Sequence, residues 1–267
     1  MTTTDNNKIW LVTGANRGIG FNLVKNLISR ADTIVYAAAR DPQKATELQK
    51  LATANKNLHI IKITSGSIED AKNAAAAIEK VIHPFDPLPS SHSLPAIGRP
   101  RLRHRQRRHR LSNSRLKDVT LEDVNDHFQV NVVGVLVLFQ AVLPLLLKRQ
   151  TRVFEAISSA VASNTNAALF VPFNNGSYSL SKAALNYLVR RISVEHAEES
   201  LIAFTVHPGL VETDMAQDFL DRPEGASWRS YAIKPDDSAK ALLAVTDKAK
   251  KEYNGKYLNY DGTELPW

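Results

Sequence analysis

Cysteine is absent from the 267-residue chain, which excludes disulfides and thiolate nucleophiles and is compatible with a reducing compartment. The first residues, Met1-Thr2-Thr3-Thr4-Asp5, lack the basic-then-apolar pattern of a secretory signal, and a cytoplasmic protein is expected. A long unbroken apolar run is also missing. The greasiest stretch, Val130 to Leu147, is interrupted by Asn131, Gln140 and Pro144 and falls short of the roughly 20 apolar residues of a membrane span. A buried or subunit-facing helix is expected there, with no membrane partner. There is no internal repeat and no linker to a second domain, so one domain over 1–267 is expected; α/β folds often run about 200–250 residues as a single unit.

The net charge of +7 suggests an acidic partner until the charge is located. Between His83 and Lys117 lie eight arginines and one lysine against a single aspartate, Asp86, a balance of +8 that leaves −1 for the rest of the chain. The basicity is local and is not a property of the domain.

Along the chain, Ile9-Trp10-Leu11-Val12-Thr13 reads as a short buried strand, and Ile19 to Ser29 carries apolar residues at helical spacing. Thr33 to Ala39 is strand-like, Pro42 opens a polar helix to about Ala54, and Leu58 to Ile63 is a third strand. An alanine-rich helix follows from Ser67 to about Ile82. This alternation predicts a doubly wound parallel sheet of Rossmann type, with helices on both faces. It resumes with a long helix from Leu121 to Leu147, interrupted near Pro144, then a strand at Arg152 to Ile157 and a helix at Tyr178 to His196. A strand at Ile202 to Val206, a helix at Asp237 to Thr246 and a strand at Lys256 to Tyr260 complete the pattern.

Two motifs carry chemistry. Thr13-Gly14-Ala15-Asn16-Arg17-Gly18-Ile19-Gly20 lies between the first strand and the first helix. Glycines there let the backbone approach a pyrophosphate, and the helix N-terminus offers it unpaired N–H groups and a positive dipole end. Tyr178 and Lys182, four residues apart at a helix start, share one face. A free phenol has a pKa of about 10, and an ammonium within about 4–6 Å is expected to lower it by roughly 1–3 units, toward the range of efficient proton transfer. Ile157-Ser158-Ser159 ends the preceding strand, where a hydroxyl can polarise a carbonyl. Asn131 lies in an otherwise apolar helical stretch, Val130-Asn131-Val132-Val133-Gly134, and a buried amide there wants hydrogen-bond partners. His207-Pro208-Gly209-Leu210-Val211-Glu212-Thr213 follows the next strand, at the sheet edge where cofactors bind.

Glycine spacing, order and context resemble the short-chain dehydrogenase/reductase family from Lys8 to Ile82 and from Asp118 to Tyr260. The resemblance implies a tetrad of Asn131, Ser159, Tyr178 and Lys182, Ser159 being preferred to Ser158 because the family's serine is normally the second of the pair. It implies a cofactor site of Gly14, Asn16, Arg17, Gly18, Ile19, Gly20, Arg40, Thr64, Asn131, Tyr178, Lys182, Pro208, Gly209, Val211 and Thr213, and no metal. The family's NAD users carry an aspartate where Ala39 stands, with Arg40 next to it; two guanidiniums, Arg17 and Arg40, suit the 2′-phosphate of NADPH. Thr64 occupies the place of the aspartate that contacts adenine. The implied reaction is ketone reduction. Hydride from NADPH reaches the carbonyl carbon, Tyr178 protonates the oxygen and Ser159 orients it. Lys182 fixes the ribose and tunes Tyr178, and Asn131 holds a water that passes protons to Lys182.

The stretch Asn131 to Ala141, Tyr178 to Arg190 and the tail Leu258-Asn259-Tyr260-Asp261-Gly262 are similar to fungal ketoreductases of aromatic polyketide pathways, the norsolorinic acid ketoreductase type. That implies secondary metabolism and a small carbonyl substrate. The long stretch between Ser159 and Tyr178 is either a pocket lining or a plain surface loop. A homodimer or homotetramer is expected, as in the family.

One segment does not fit. His83 to Asn113 holds five prolines, seven arginines and four histidines and no periodic apolar pattern. The family's fourth strand, central to the sheet and closed by Asn-Asn-Ala-Gly, should stand there, and proline cannot donate to a sheet ladder. The expectation is a fourth strand that is missing or replaced across 83–117. Three readings stand beside one another: an arginine-rich insert for nucleic-acid phosphates, a loop with the strand supplied otherwise, and an out-of-frame stretch. The third is preferred, since arginine, histidine and glutamine codons read one base later tend to give alanine, glycine, isoleucine, threonine and serine. No nucleic-acid partner is expected, because aromatic residues are not interleaved with the arginines. Against a total stability of only about 5–15 kcal/mol, loss of a central strand predicts a poorly expressed chain that reduces little. The second function class is accordingly a catalytically inactive nucleotide-binding homologue or scaffold.

Overall fold

The computed structural model describes residues 8–82 and 115–267. β1 (Lys8–Val12), β2 (Thr33–Ala39) and β3 (Leu58–Lys62) form one parallel sheet in the order β1-β2-β3, with Trp10 opposite Val35 and Ala37 opposite Ile60. β4 (Val153–Ile157), β5 (Ile202–His207) and β8 (Tyr257–Asn259) form a second in the order β4-β5-β8. A short parallel pair, β6 (Leu210–Val211) and β7 (Ala232–Ile233), lies beyond. All five pairings are parallel, as strand–helix alternation demands.

The helices bind the two sheets into one body. α1 (Gly18–Leu27) packs on α9 (Pro235–Asp247). Val24, Leu27 and Leu243 meet Val12, Val35 and Ala37 of the first sheet, while Leu23, Leu242 and Val245 meet Phe204, Val206 and Leu258 of the second. On the opposite face, α3 (Ile68–Ile82) packs on α5 (Gly134–Leu147). Leu145 of α5 reaches Tyr36 in the first sheet, and Phe139 sets its ring edge-on to Phe154 in the second, with centroids 5.2 Å apart. Each face of both sheets therefore shares helices, which is the doubly wound arrangement. Among the described residues β1 and β4 are not hydrogen-bonded neighbours, and both line a cavity of about 3130 Å³. The expected absence of a fourth strand concerns residues 83–114, which lie outside the described residues.

Local structure departs from the sequence reading at two helices. The polar helix expected from Pro42 divides into a tight turn, Pro42–Lys44, and α2 (Thr46–Ala54), because Ala45 leaves helical geometry. The interruption expected near Pro144 is absent there. Pro144 sits inside α5, and the irregular turn is instead a wide π turn at Gln129–Val133, between α4 (Leu121–Phe128) and α5. Close packing accounts for its place: a Cβ on Gly134 would lie 2.9 Å from Ser65 Cβ, and Gln129 covers Gly66. The run Leu121–Leu147 is long and apolar enough to cross a membrane by length and composition, yet it packs on α3 and on α6 (Gly176–Glu195) and buries Phe139, Val142 and Leu145. The elements between Thr213 and Ile233, among them α7 (Asp214–Leu220) and α8 (Pro223–Ala226), had no counterpart in the sequence pattern.

Candidate active site

The carboxyl ends of β1, β4 and β5 open into the same cavity, and every cofactor and catalytic residue expected from the sequence lines it. The glycine turn leaves β1 with positive φ at Gly14 and Gly18, +63° and +56°, the region that glycine alone enters freely. Any Cβ on Gly20 would come within 2.5 Å of the Gly14 carbonyl oxygen, so the helix can start this close to the turn only on glycine. Among the described residues no side chain caps α1 and no acidic residue lies in its first turn, leaving its amides and dipole directed at the cavity. This is a cradle for a pyrophosphate.

Around the cradle, Thr213 begins α7 and packs against Gly18, the Thr213 methyl lying 3.5 Å from a Cβ built there. Gly209 has φ +88° and sits against Ile233 and Tyr260; the Pro208 carbonyl takes the buried Ser238 hydroxyl at 2.7 Å. Val211 is buried in the β6–β7 pair. Ile19 packs into the core beside Leu23, and Asn16 stands exposed at the turn. Arg40 is exposed at the end of β2. Arg17 behaves differently from the expectation that it joins Arg40: its guanidinium pairs with Asp214 at 2.8 Å, across the cleft at the start of α7. The Thr64 N–H is held by Asp70 at 3.0 Å, so this carboxylate in α3 organises the loop where the family carries its aspartate. His207 is half-buried, its Nδ1 is out of solvent with no hydrogen-bond partner among the described residues, and burial pushes its pKa down to about 4, leaving it neutral at about pH 7.

Tyr178 and Lys182 lie on the buried face of α6, and the Lys182 ammonium stands 5.7 Å from the centre of the Tyr178 ring. The ammonium donates to the Ile157 carbonyl at 2.7 Å, tying α6 to the end of β4. The two serines at that strand end divide. Ser158 is buried and its hydroxyl donates to Asn186 Oδ1 at 2.6 Å, whereas the Ser159 hydroxyl faces the Tyr178 phenol closely enough to favour its ionised form. Asn131, in the π turn, donates to the Ser181 hydroxyl at 2.9 Å, and Ser181 donates to the Tyr178 carbonyl at 2.7 Å. Asn131 thus anchors α4 and α5 to the first turn of α6.

The electrostatics correct the sequence reading. Tyr178 is not brought toward neutrality: burial pushes it up to about 12, with the nearby Ser159 hydroxyl pulling the other way. Lys182 is the group displaced toward neutral pH, down to about 8, also by burial. Desolvation outweighs the attraction between the two, and the ammonium is shared with the Ile157 carbonyl.

Several residues at the site went unnoticed in the sequence. His127 of α4 is buried and sets its ring edge-on to Tyr178, centroids 5.7 Å apart; its position one helical turn before Asn131 was the available signal. Phe173 stacks on Phe219 at 4.0 Å and 15°, with Trp228 edge-on at 5.0 Å and Phe170 at 5.7 Å. All four line the cavity, so the stretch between Ser159 and Tyr178 is part of its wall.

The model of the short chain dehydrogenase family matches residues 8–224. An oxidoreductase of Schizosaccharomyces pombe is 38% identical over 274 aligned positions that cover all of both chains. The norsolorinic acid ketoreductase of Dothistroma septosporum is 29% identical, over 97% of this chain and 92% of that one. Among solved structures, the NADPH-bound carbonyl reductase from chicken fatty liver has 29% identity and a TM-score of 0.78, over 98% of this chain and all of that one.

Proposed function

The chain belongs to the short-chain dehydrogenase family, and on that premise we propose that it reduces a ketone to a secondary alcohol with NADPH as the reductant. The observation that carries the proposal is the contact set of Ser159, Tyr178 and Lys182 beside the glycine cradle. NADPH, when bound, supplies the hydride. Tyr178, held near 12, keeps its proton at neutral pH and is the general acid for the carbonyl oxygen. Ser159 orients that oxygen by hydrogen bonding. Lys182, near 8, retains most of its charge at neutral pH; it favours the Tyr178 phenolate left by proton transfer and holds the cofactor ribose. Asn131 belongs to the proton path that leads away from Lys182. Catalysis on this reading is positioning and charge stabilisation. Arg40 would hold the 2′-phosphate, and the cradle of Gly14, Gly18 and Gly20 the pyrophosphate.

The apolar aromatic wall of Phe170, Phe173 and Trp228, backed by the buried Phe219, favours an aromatic ketone, such as an aromatic polyketide intermediate of secondary metabolism. A contact between copies, as a homodimer or homotetramer, is supported by the exposed apolar residues Leu180, Tyr187 and Val194, which repeat every seven residues along α6. A second reading, a nucleotide-binding chain without turnover, draws on one observation: β1 and β4 are not paired among the described residues.

Single-turnover mixing with NADPH and an aryl ketone or quinone separates the two readings, because its rate constant does not depend on the fraction of folded protein. Oxidation of NADPH coupled to alcohol formation is expected. Cofactor binding with no hydride transfer to any such acceptor would favour the second reading.

A further inference from the structure

Tyr257, the first residue of β8, is fully buried, and its hydroxyl donates to the main-chain carbonyl of Ser159. The same carbonyl takes the Ala162 N–H at 3.0 Å, so two donors fix the peptide that carries the Ser159 side chain. Asn186 closes the arrangement from α6. It lies four residues after Lys182 and eight after Tyr178, on the same helical face, accepts the Ser158 hydroxyl and also interacts with the Tyr257 phenol. That last contact falls outside hydrogen-bond geometry, and Asn186 Nδ2 is left without a partner among the described residues. Burial, and secondarily the neighbouring Tyr178, push Tyr257 well above the ordinary phenol value, so it remains a donor while Tyr178 exchanges its proton.

The chain beyond β8 holds the other end of the same loop. The Tyr257 carbonyl accepts the Leu265 N–H at 2.8 Å, and the Trp267 ring lies 5.6 Å from the Tyr257 ring. The Trp267 main-chain oxygen then accepts both the N–H and the hydroxyl of Thr165, at 2.8 and 2.6 Å. Thr165 is six residues beyond Ser159. The segment from Tyr257 to Trp267 therefore grips the loop 159–165 at its start and at its end.

We propose that Tyr257, through the Ser159 carbonyl, and the Thr165–Trp267 clasp are positioning elements that aim the Ser159 hydroxyl at the substrate oxygen. The proposal rests on the reading of Ser159 as the group that orients the carbonyl. A hydroxyl that must meet both the Tyr178 phenol and a substrate oxygen tolerates little displacement, since about 1 Å of misplacement can cost on the order of 100-fold in rate. Ser159 has extended backbone geometry, φ −159° and ψ 148°, and the two main-chain donors and the clasp hold that backbone in place.

The test is a double-mutant cycle on single-turnover hydride transfer at saturating NADPH and ketone, with parent, Tyr257→Phe, Ser159→Ala and the double variant. Tyr257→Phe keeps the ring and removes only the donor. It is expected to slow transfer about tenfold in the parent, to leave the Kd for NADPH unchanged, and to cost less than about twofold once Ser159 is alanine. An equal slowing in both backgrounds, or an unslowed Tyr257→Phe, overturns the proposal. A Ser159→Ala variant that transfers hydride at the parental rate removes the Ser159 assignment itself, and the silent single variant tells the two failures apart. Should Tyr257→Phe fail to fold by circular dichroism, Thr165→Val decides at an exposed position. A loss of about two- to fivefold that vanishes in the Ser159→Ala background supports the proposal. A loss that persists there, or no loss at all, overturns it.

Discussion

Ser158 and Ser159 are adjacent in sequence and opposed in direction: the Ser158 hydroxyl is buried on Asn186, and the Ser159 hydroxyl faces the Tyr178 phenol. An extended backbone sends successive side chains to opposite sides, so the strand end itself sorts the pair into one interior hydroxyl and one that faces the cavity. Ser158→Ala leaves the Asn186 acceptor buried and unpaired, and a loss of roughly 1–3 kcal/mol in stability is expected. Chemical denaturation measures it. Hydride transfer should fall far less than in Ser159→Ala.

Arg40, exposed at the end of β2, is assigned to the cofactor 2′-phosphate. A charge-assisted hydrogen bond is worth about 1.5–3 kcal/mol, so Arg40→Ala should weaken NADPH binding roughly 10- to 100-fold. NADH binding should hardly change. Fluorescence titration with each cofactor checks the difference, and equal weakening of both would remove the assignment.

Glu155 is half-buried in β4 with the Thr246 hydroxyl as its hydrogen-bond partner, and loss of solvent there pushes it up to about 7 from an ordinary 4.5. The folded chain thus binds this proton more tightly than the unfolded chain. Its stabilising contribution is complete below the unfolded value and is lost as the pH rises through about 7. Glu155→Gln removes the titration. The Tm of the parent relative to this variant should therefore fall between about pH 4.5 and about pH 7, a window below the Lys182 titration near 8. A constant difference across that range contradicts the account.

Residues 83–114 lie outside the described residues, and the out-of-frame reading of their sequence is a proposal that transcript sequencing across codons 82–118 tests directly. The chain as written is expected to express poorly and, from its small folded fraction, to reduce little per mole of total protein. A soluble chain with one sharp melting transition that rises on adding NADPH contradicts this.

Much of the architecture was legible where the backbone itself dictates residue type. The glycines at 14, 18 and 20 are required by positive φ or by a close carbonyl, and the parallel topology follows from strand–helix alternation. Tyr178 and Lys182 could be placed on one face because four residues make about one helical turn. What escaped depends on contacts between distant parts of the chain. Asn186 and Tyr257 are a polar residue and an aromatic in otherwise ordinary elements until β8 is set beside β5. The direction of the Tyr178 shift was misjudged because burial, invisible in the sequence, outweighs the neighbouring ammonium. The π turn at Gln129–Val133 was misplaced to Pro144, since its cause is the approach of Gly134 to Ser65.

The central claim is that the Tyr178 hydroxyl delivers the proton. Its most direct test is the single-turnover rate of NADPH oxidation by an aryl ketone in Tyr178→Phe against the parent. General acid catalysis typically contributes about 10²- to 10⁴-fold, and a fall of that size with an unchanged NADPH Kd is predicted. A Phe variant that reduces the ketone within a few-fold of the parental rate would contradict the account.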